Sequence, residues 1–143
     1  KQQVNGSSNI PHHRSDGEAL CAALSDDGRY AAIGRRDATV QIYDLRISSA
    51  ASSSLVKTFH GHKGPITSLT FRTRTHQLFS ASQDRCVRHY NLGMGGGSTG
   101  ASSTTMAAAS EMLYMETLYG HQAGVTSLDC HVRERPISVG RDR

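Results

Sequence analysis

The stretch Phe59–Asn91, FHGHKGPITSLTFRTRTHQLFSASQDRCVRHYN, decides the fold of this 143-residue chain, because it reads as one complete unit of a repeat. After Gly61-His62, the apolar residues Ile66, Leu69 and Phe71 alternate with polar ones; a polar turn follows, and alternation resumes at Leu78, Phe79 and Ala81. A second turn at Gln83-Asp84-Arg85 leads into Val87, His89 and Tyr90. Period-two patterning broken by polar turns marks short, half-buried antiparallel strands.

The pattern recurs on both sides. Downstream, Gly120-His121 is followed by Val125, Leu128 and Asp142, at nearly the spacing that separates His62 from Asp84. Upstream, Asp37 precedes Tyr43-Asp44 as Asp84 precedes Tyr90-Asn91. Repetition of this kind describes an array in which each unit completes its core against its neighbour.

A Gly-His pair, an Asp about two dozen residues on and an aromatic-acid pair closing the next strand resemble WD40 repeats. The resemblance implies an all-β propeller built of antiparallel four-stranded blades. Tyr43-Asp44 and Tyr90-Asn91 stand where such repeats usually carry Trp-Asp, and a phenol fills the slot and offers one hydrogen bond as indole does. The resemblance also implies a buried network of His62, Ser82, Asp84 and Tyr90 that pins the Gly-His loop to the strands, since a buried imidazole and carboxylate are each costly unless paired. His121 and Asp142 hold the matching positions downstream, and Asp37 and Tyr43 hold them upstream. Arg35 and Gly140 replace the serine there, so those two networks are expected to be incomplete.

A blade takes roughly forty to forty-five residues and a ring at least four blades, so the chain corresponds to about three. Residues 1–18 read as a loop, 19–59 as a blade, 60–118 as a blade carrying an insertion over 93–110, and 119–143 as a partial blade. The expectation is a fragment of a larger ring, consistent with the missing initiating Met and the end just after Asp142. Strands are expected at Ala19–Leu24, Tyr30–Gly34, Thr39–Asp44, Leu55–Phe59, Tyr114–Leu118, Val125–Cys130 and Ile137–Val139, besides those of the central unit. Ile47–Ser54 reads as a loop. Gly93–Ser110 holds GMGGGSTG, but no Gly-Lys-Ser/Thr follows, so a flexible surface insertion is expected rather than a phosphate loop.

Composition narrows the functional classes. No apolar run approaches a membrane span, and no secretory or transit segment is visible. Cys21, Cys86 and Cys130 are odd in number and widely spaced, and read as buried small residues in a reducing compartment. His12-His13 has no third ligand at a suitable spacing, so no metal and no cofactor are expected. The recurring His and Asp residues belong to the repeat, which leaves no nucleophile-base pair and no small-molecule substrate to expect.

Net charge is +4, unevenly spread: Lys63, Arg72, Arg74, Arg85 and Arg88 lie in the central unit, and Arg133, Arg135, Arg141 and Arg143 crowd the last segment. A basic surface favours a polyanion such as nucleic acid, and an ordinary solvated basic face is the equal alternative. Strand connectivity puts Lys63, Arg36, Arg85, Arg141 and Arg143 on the side of the Gly-His loops, where RNA or a protein partner is expected, and Arg72, Arg74, Arg133 and Arg135 on the other.

Three segments carry a narrower resemblance. FRTRTHQLFSASQDR (Phe71–Arg85), YMETLYGHQAGVTSLD (Tyr114–Asp129) and RERPISVGRDR (Arg133–Arg143) resemble the WD40 subunits of the U3 small nucleolar ribonucleoprotein well beyond the sparse repeat skeleton. That resemblance implies a nucleolar, non-enzymatic subunit that binds U3 small nucleolar RNA beside other proteins of the small-subunit processome, in processing of the ribosomal RNA precursor. The alternative is a generic WD40 protein-interaction scaffold, such as a ubiquitin ligase substrate receptor or a trafficking adaptor.

Overall fold

The computed structural model describes residues 17–46, 54–93, 112–131 and 135–142. These are all β, with no helix among them. Strands β1 (Ala19–Leu24), β2 (Tyr30–Arg35), β3 (Val40–Asp44) and β4 (Leu55–Phe59) make one antiparallel sheet in sequence order. A second, β5 (Ile66–Phe71), β6 (Gln77–Ser82), β7 (Val87–Asn91) and β8 (Leu113–Leu118), repeats that order, and β9 (Val125–Asp129) pairs with β10 (Ile137–Gly140) as a third. Strand ends fall within a residue of those expected.

The sheets stack face to face. Tyr30, Val40, Ile42 and Phe59 of the first sheet share a core with Ile66, Leu69, Leu78 and Tyr90 of the second. On the other side of the second sheet, Phe79, Ala81 and Val87 meet Val125, Leu128 and Cys130. β6 is therefore covered on both faces, which explains its run of apolar and small residues: Leu78 turns one way and Phe79 the other. Gly34 is required for this approach, since a Cβ there would meet Ile66 Cγ2 at 2.5 Å. The apolar side chains left open are mainly on the flanking sheets, with Ile137 68% and Leu24 65% exposed, and on the outer strand β8.

Each inner strand carries one extra residue near its start, at Leu20, Thr67 and Thr126, where the register with its partner slips. These three residues line a common cavity between the inner strands, with a volume of about 460 Å³. Thr67 Oγ1 uses the bulge to donate to Val125 O at 2.7 Å, tying the second sheet to the third.

Two opposite sides follow from the connectivity. The β4–β5 and β6–β7 loops meet on one side, joined through His62 and Asp84. The β1–β2 and β5–β6 hairpins meet on the other, where Asp26 accepts the Arg74 amide at 2.7 Å and Asp27 accepts from His76 Nε2 at 2.9 Å. Cys130 is buried as expected, but Cys21 and Cys86 are only half-buried: the first packs from β1 against the core beside Ile66, and the second directly follows the β6–β7 turn. Burial raises all three thiols above their ordinary pKa, so none is poised as a thiolate.

Candidate functional site

The Gly-His side is built from one turn used three times. Asp84 closes the β6–β7 turn by accepting the Cys86 amide on Oδ1 at 3.0 Å, and its Oδ2 accepts the Lys63 amide at 2.9 Å and His62 Nδ1 at 2.8 Å. Asp142 receives the Gln122 amide and His121 Nδ1 in the same way. Asp37 receives the Thr39 amide, and the backbone N–H of Gly17 takes the place of those of Lys63 and Gln122. The residue ahead of each Asp docks likewise: Arg36, Gln83 and Arg141 donate their amides to Glu18 O, Pro65 O and Gly124 O.

The hydroxyl on His62 belongs to Ser80, not to Ser82 as the sequence suggested. Ser80 Oγ lies 2.7 Å from His62 Nε2 and 3.4 Å from the Tyr90 hydroxyl. Ser82 Oγ instead donates to Gly64 O at 2.8 Å and accepts the Asp84 amide at 3.1 Å, two residues closer to the turn. The same shift completes the network expected to fail in the third repeat: Ser138 stands 2.8 Å from His121 Nε2, while Gly140 matches Ser82. The first repeat does differ. Tyr43 donates to Gln41 Oε1 at 2.9 Å, and Arg35 Nη1 donates to the same oxygen, so the phenol that matches Tyr90 is held by a side-chain amide. The position matching His62 lies outside the described residues there.

Burial keeps the His62 imidazole below its ordinary pKa despite the opposing pull of Asp84. Burial would raise the Asp84 carboxyl, but the Lys63 amide and His62 outweigh it and leave it below the ordinary range. A neutral imidazole thus gives its Nδ1 proton to a carboxylate and accepts from Ser80 at Nε2. The trio has the connectivity of a hydrolase triad, yet Ser80 is 0% exposed and covered by Tyr90, so no substrate reaches it. Recurrence in two repeats marks it as architecture.

This burial has a pH signature. His62 and His89, the latter stacked on Phe79 with ring centroids 4.4 Å apart, both have folded pKa values lowered first by desolvation. Below about pH 6.5 the unfolded chain binds protons that these folded side chains refuse, so stability is full above that value and falls as pH drops through it. The expected slope is up to about 1.4 kcal/mol per pH unit for each histidine. Denaturation midpoints of the full-length protein between pH 5 and 8 measure it, and His89→Leu should flatten the curve relative to wild type.

Around this frame stand the cations. Lys63, Arg85 and Arg141 are exposed and have no ion-pair partner among the described residues, whereas Arg36 pairs with Glu18 at 2.7 Å in an exposed, weak bridge. On the opposite side Arg29 and Arg46 are matched by Asp44 and Asp27. Arg74 and Arg72 lie there too, at the β5–β6 hairpin. Arg143 and Arg133 lie outside the described residues, as do His12, His13 and residues 94–110 of the expected insertion. Among the described residues, no group of three or more His, Cys, Asp or Glu could hold a metal, and no helix is long and apolar enough to cross a membrane. Sequence reasoning missed Tyr119, which is 81% exposed beside Lys63 and Arg85 on this side.

The model of the WD domain, G-beta repeat, matches residues 7–44 and 53–91. The chain belongs to the WD40 family. Among WD40 proteins it is similar to the U3 snoRNP-associated protein-like EMB2271 of Arabidopsis thaliana, 36% identical over 130 residues, which is 91% of this chain and 22% of the relative. It is 40% identical over 70 residues to human U3 small nucleolar RNA-interacting protein 2, covering 49% of this chain and 13% of the relative. A crystal structure of RRP9 WD40 repeats superposes with a TM-score of 0.66 at 35% identity, over 86% of this chain and 31% of that one. The WD40 repeats present here thus span about a fifth or less of these two relatives and about a third of the solved domain.

Proposed function

We propose that this chain is part of a non-enzymatic subunit of the U3 small nucleolar ribonucleoprotein, which binds U3 small nucleolar RNA on the Gly-His side of its propeller and acts in the nucleolus in ribosome biogenesis. The observation that carries the reading is the similarity to U3 snoRNP-associated WD40 proteins over nearly the whole chain. Lys63, Arg85 and Arg141, exposed on that side and without acidic partners among the described residues, support it. Mechanistically, the rigid turns hold these cations at fixed spacing, so that phosphate contacts supply affinity while the shape of the folded RNA supplies selectivity. Other proteins of the particle and of the small-subunit processome would occupy the remaining surface.

Ultraviolet crosslinking of the full-length protein in cells, followed by sequencing of the attached RNA, tests this. One small nucleolar RNA, U3, should dominate over the background of an unrelated propeller. Recovery at background level would overturn the reading in favour of a protein-binding scaffold.

A further inference from the structure

On the Gly-His side a cleft of about 330 Å³ opens between the second sheet and the third. Its walls include Gly61, Lys63, Arg85, Arg88, Tyr119 and Gly120, which come from three separate loops and strand β7. We propose that this cleft holds a single unpaired nucleotide, with its phosphate between Lys63 and Arg85 and its base laid on the ring of Tyr119. The proposal deepens the RNA-binding reading above and rests on it.

Charge is the first support. Lys63 and Arg85 are exposed cations without acidic partners among the described residues, and Arg88 adds a third positive group. The single carboxylate lining the cleft, Asp84, already accepts from His62, Lys63 N–H and Cys86 N–H, so its lone pairs are turned to the protein. Three cations against one saturated carboxylate leave a net positive hollow.

Rigidity is the second. Arg88 Nη2 donates to Gly61 O at 2.6 Å, and its guanidinium lies 5.4 Å from the centroid of the Tyr114 ring. Gly61 makes this possible, because its φ is +132° and a Cβ would run into the Arg88 guanidinium. Arg85 is held at φ 72°, a region that asparagine and glycine enter far more easily than arginine. The matching residue of the first repeat, Ala38, has φ 69°, so this is the repeat's own turn, and it carries the Arg85 side chain at a fixed place on the cleft wall.

The third support is Tyr119. At 81% exposure it contributes little to any core, yet it lines the same cleft as the cations. An open aromatic face beside phosphate-binding groups is how proteins hold unpaired nucleotides, with stacking for the base and charge for the backbone. The volume lies at the lower end of small-ligand sites, which run from roughly 300 to 1,000 Å³, and so suits one nucleotide rather than a run of them.

The test uses the full-length protein and two fluorescent probes: a short single-stranded RNA, and the same strand with its bases removed. Tyr119→Ala should weaken the RNA about tenfold, the effect of losing one stacked base, and leave the abasic strand unchanged, while Tyr119→Phe should keep wild-type affinity for both. Arg85→Asn, which relieves the turn and so does not endanger folding, should weaken both strands and make the salt dependence shallower by about one. Equal binding of RNA by wild type and Tyr119→Ala would overturn the cleft, as would an equal loss on both strands. So would tighter, Tyr119-dependent binding of a phosphopeptide than of RNA. If the full-length protein still takes U3 RNA while these variants behave as wild type, the cleft proposal falls and the functional reading stands; absence of RNA binding altogether overturns both.

Discussion

Asp84→Ala is expected to lower the stability of the full-length protein by about 3 kcal/mol, as much as truncating a buried core side chain. Its carboxylate accepts the His62 imidazole and the amides of Lys63 and Cys86, and so joins the Gly-His loop, the β6–β7 turn and the Ser80–Tyr90 strand pair in one knot. Removing it strands a buried imidazole N–H, at roughly 1–3 kcal/mol, together with two partly wetted amides that cost less. Asp84→Asn, which keeps one acceptor oxygen, should lose about half as much. Asp142→Ala should cost less than Asp84→Ala, because the third repeat's network is open to water. Urea denaturation of the three variants measures the order, and a loss below about 1 kcal/mol for Asp84→Ala would mean that the orphaned donors are satisfied elsewhere.

The largest functional effect is expected from removing together the exposed Gly-His-side cations that have no ion-pair partner among the described residues. Lys63→Glu, Arg85→Asn and Arg141→Glu in one protein should weaken U3 RNA about a hundredfold and reduce the steepness of its salt dependence by about two to three, as phosphate contacts do when lost. Arg36 is left in place because Glu18 already opposes it. A control of matched intent, Lys57→Glu with Arg135→Glu, changes charge on the outer strand and near β10, away from the Gly-His loops, and should stay within about threefold of wild type at moderate salt. Binding measured by filter retention across a salt series separates the two sets. An equal loss in both would mean that net charge, not this side of the propeller, governs the interaction.

The strand order and the two sides of the molecule were legible from the sequence because both depend on local period and on the repeated Gly-His and Asp positions. The serine partner of His62 was not. Ser80 and Ser82 sit two apart in β6, so strand alternation puts them on one face and cannot choose between them. Only the reach of the β4–β5 loop decides, bringing the imidazole to Ser80 and leaving Ser82 for Gly64. The same ambiguity hid Ser138 behind Gly140 in the third repeat. Tyr43 misled for another reason: its repeat position matches Tyr90, but Gln41 and Arg35 supply a different set of partners. Contacts between sheets, such as Asp27 with His76 or the neighbours of Tyr119, join residues far apart in the chain and leave no periodic trace.

The claim that matters most is that RNA lies on the Gly-His side. Ultraviolet crosslinking of the purified full-length protein to U3 RNA, with the attached peptides identified by mass spectrometry, addresses it without altering a residue. Crosslinks within the peptides that carry Lys63, Arg85 and Tyr119 are the expected result. Crosslinks confined to the β1–β2 and β5–β6 hairpins, around Asp26 and Arg74, would contradict it and place the RNA on the opposite side.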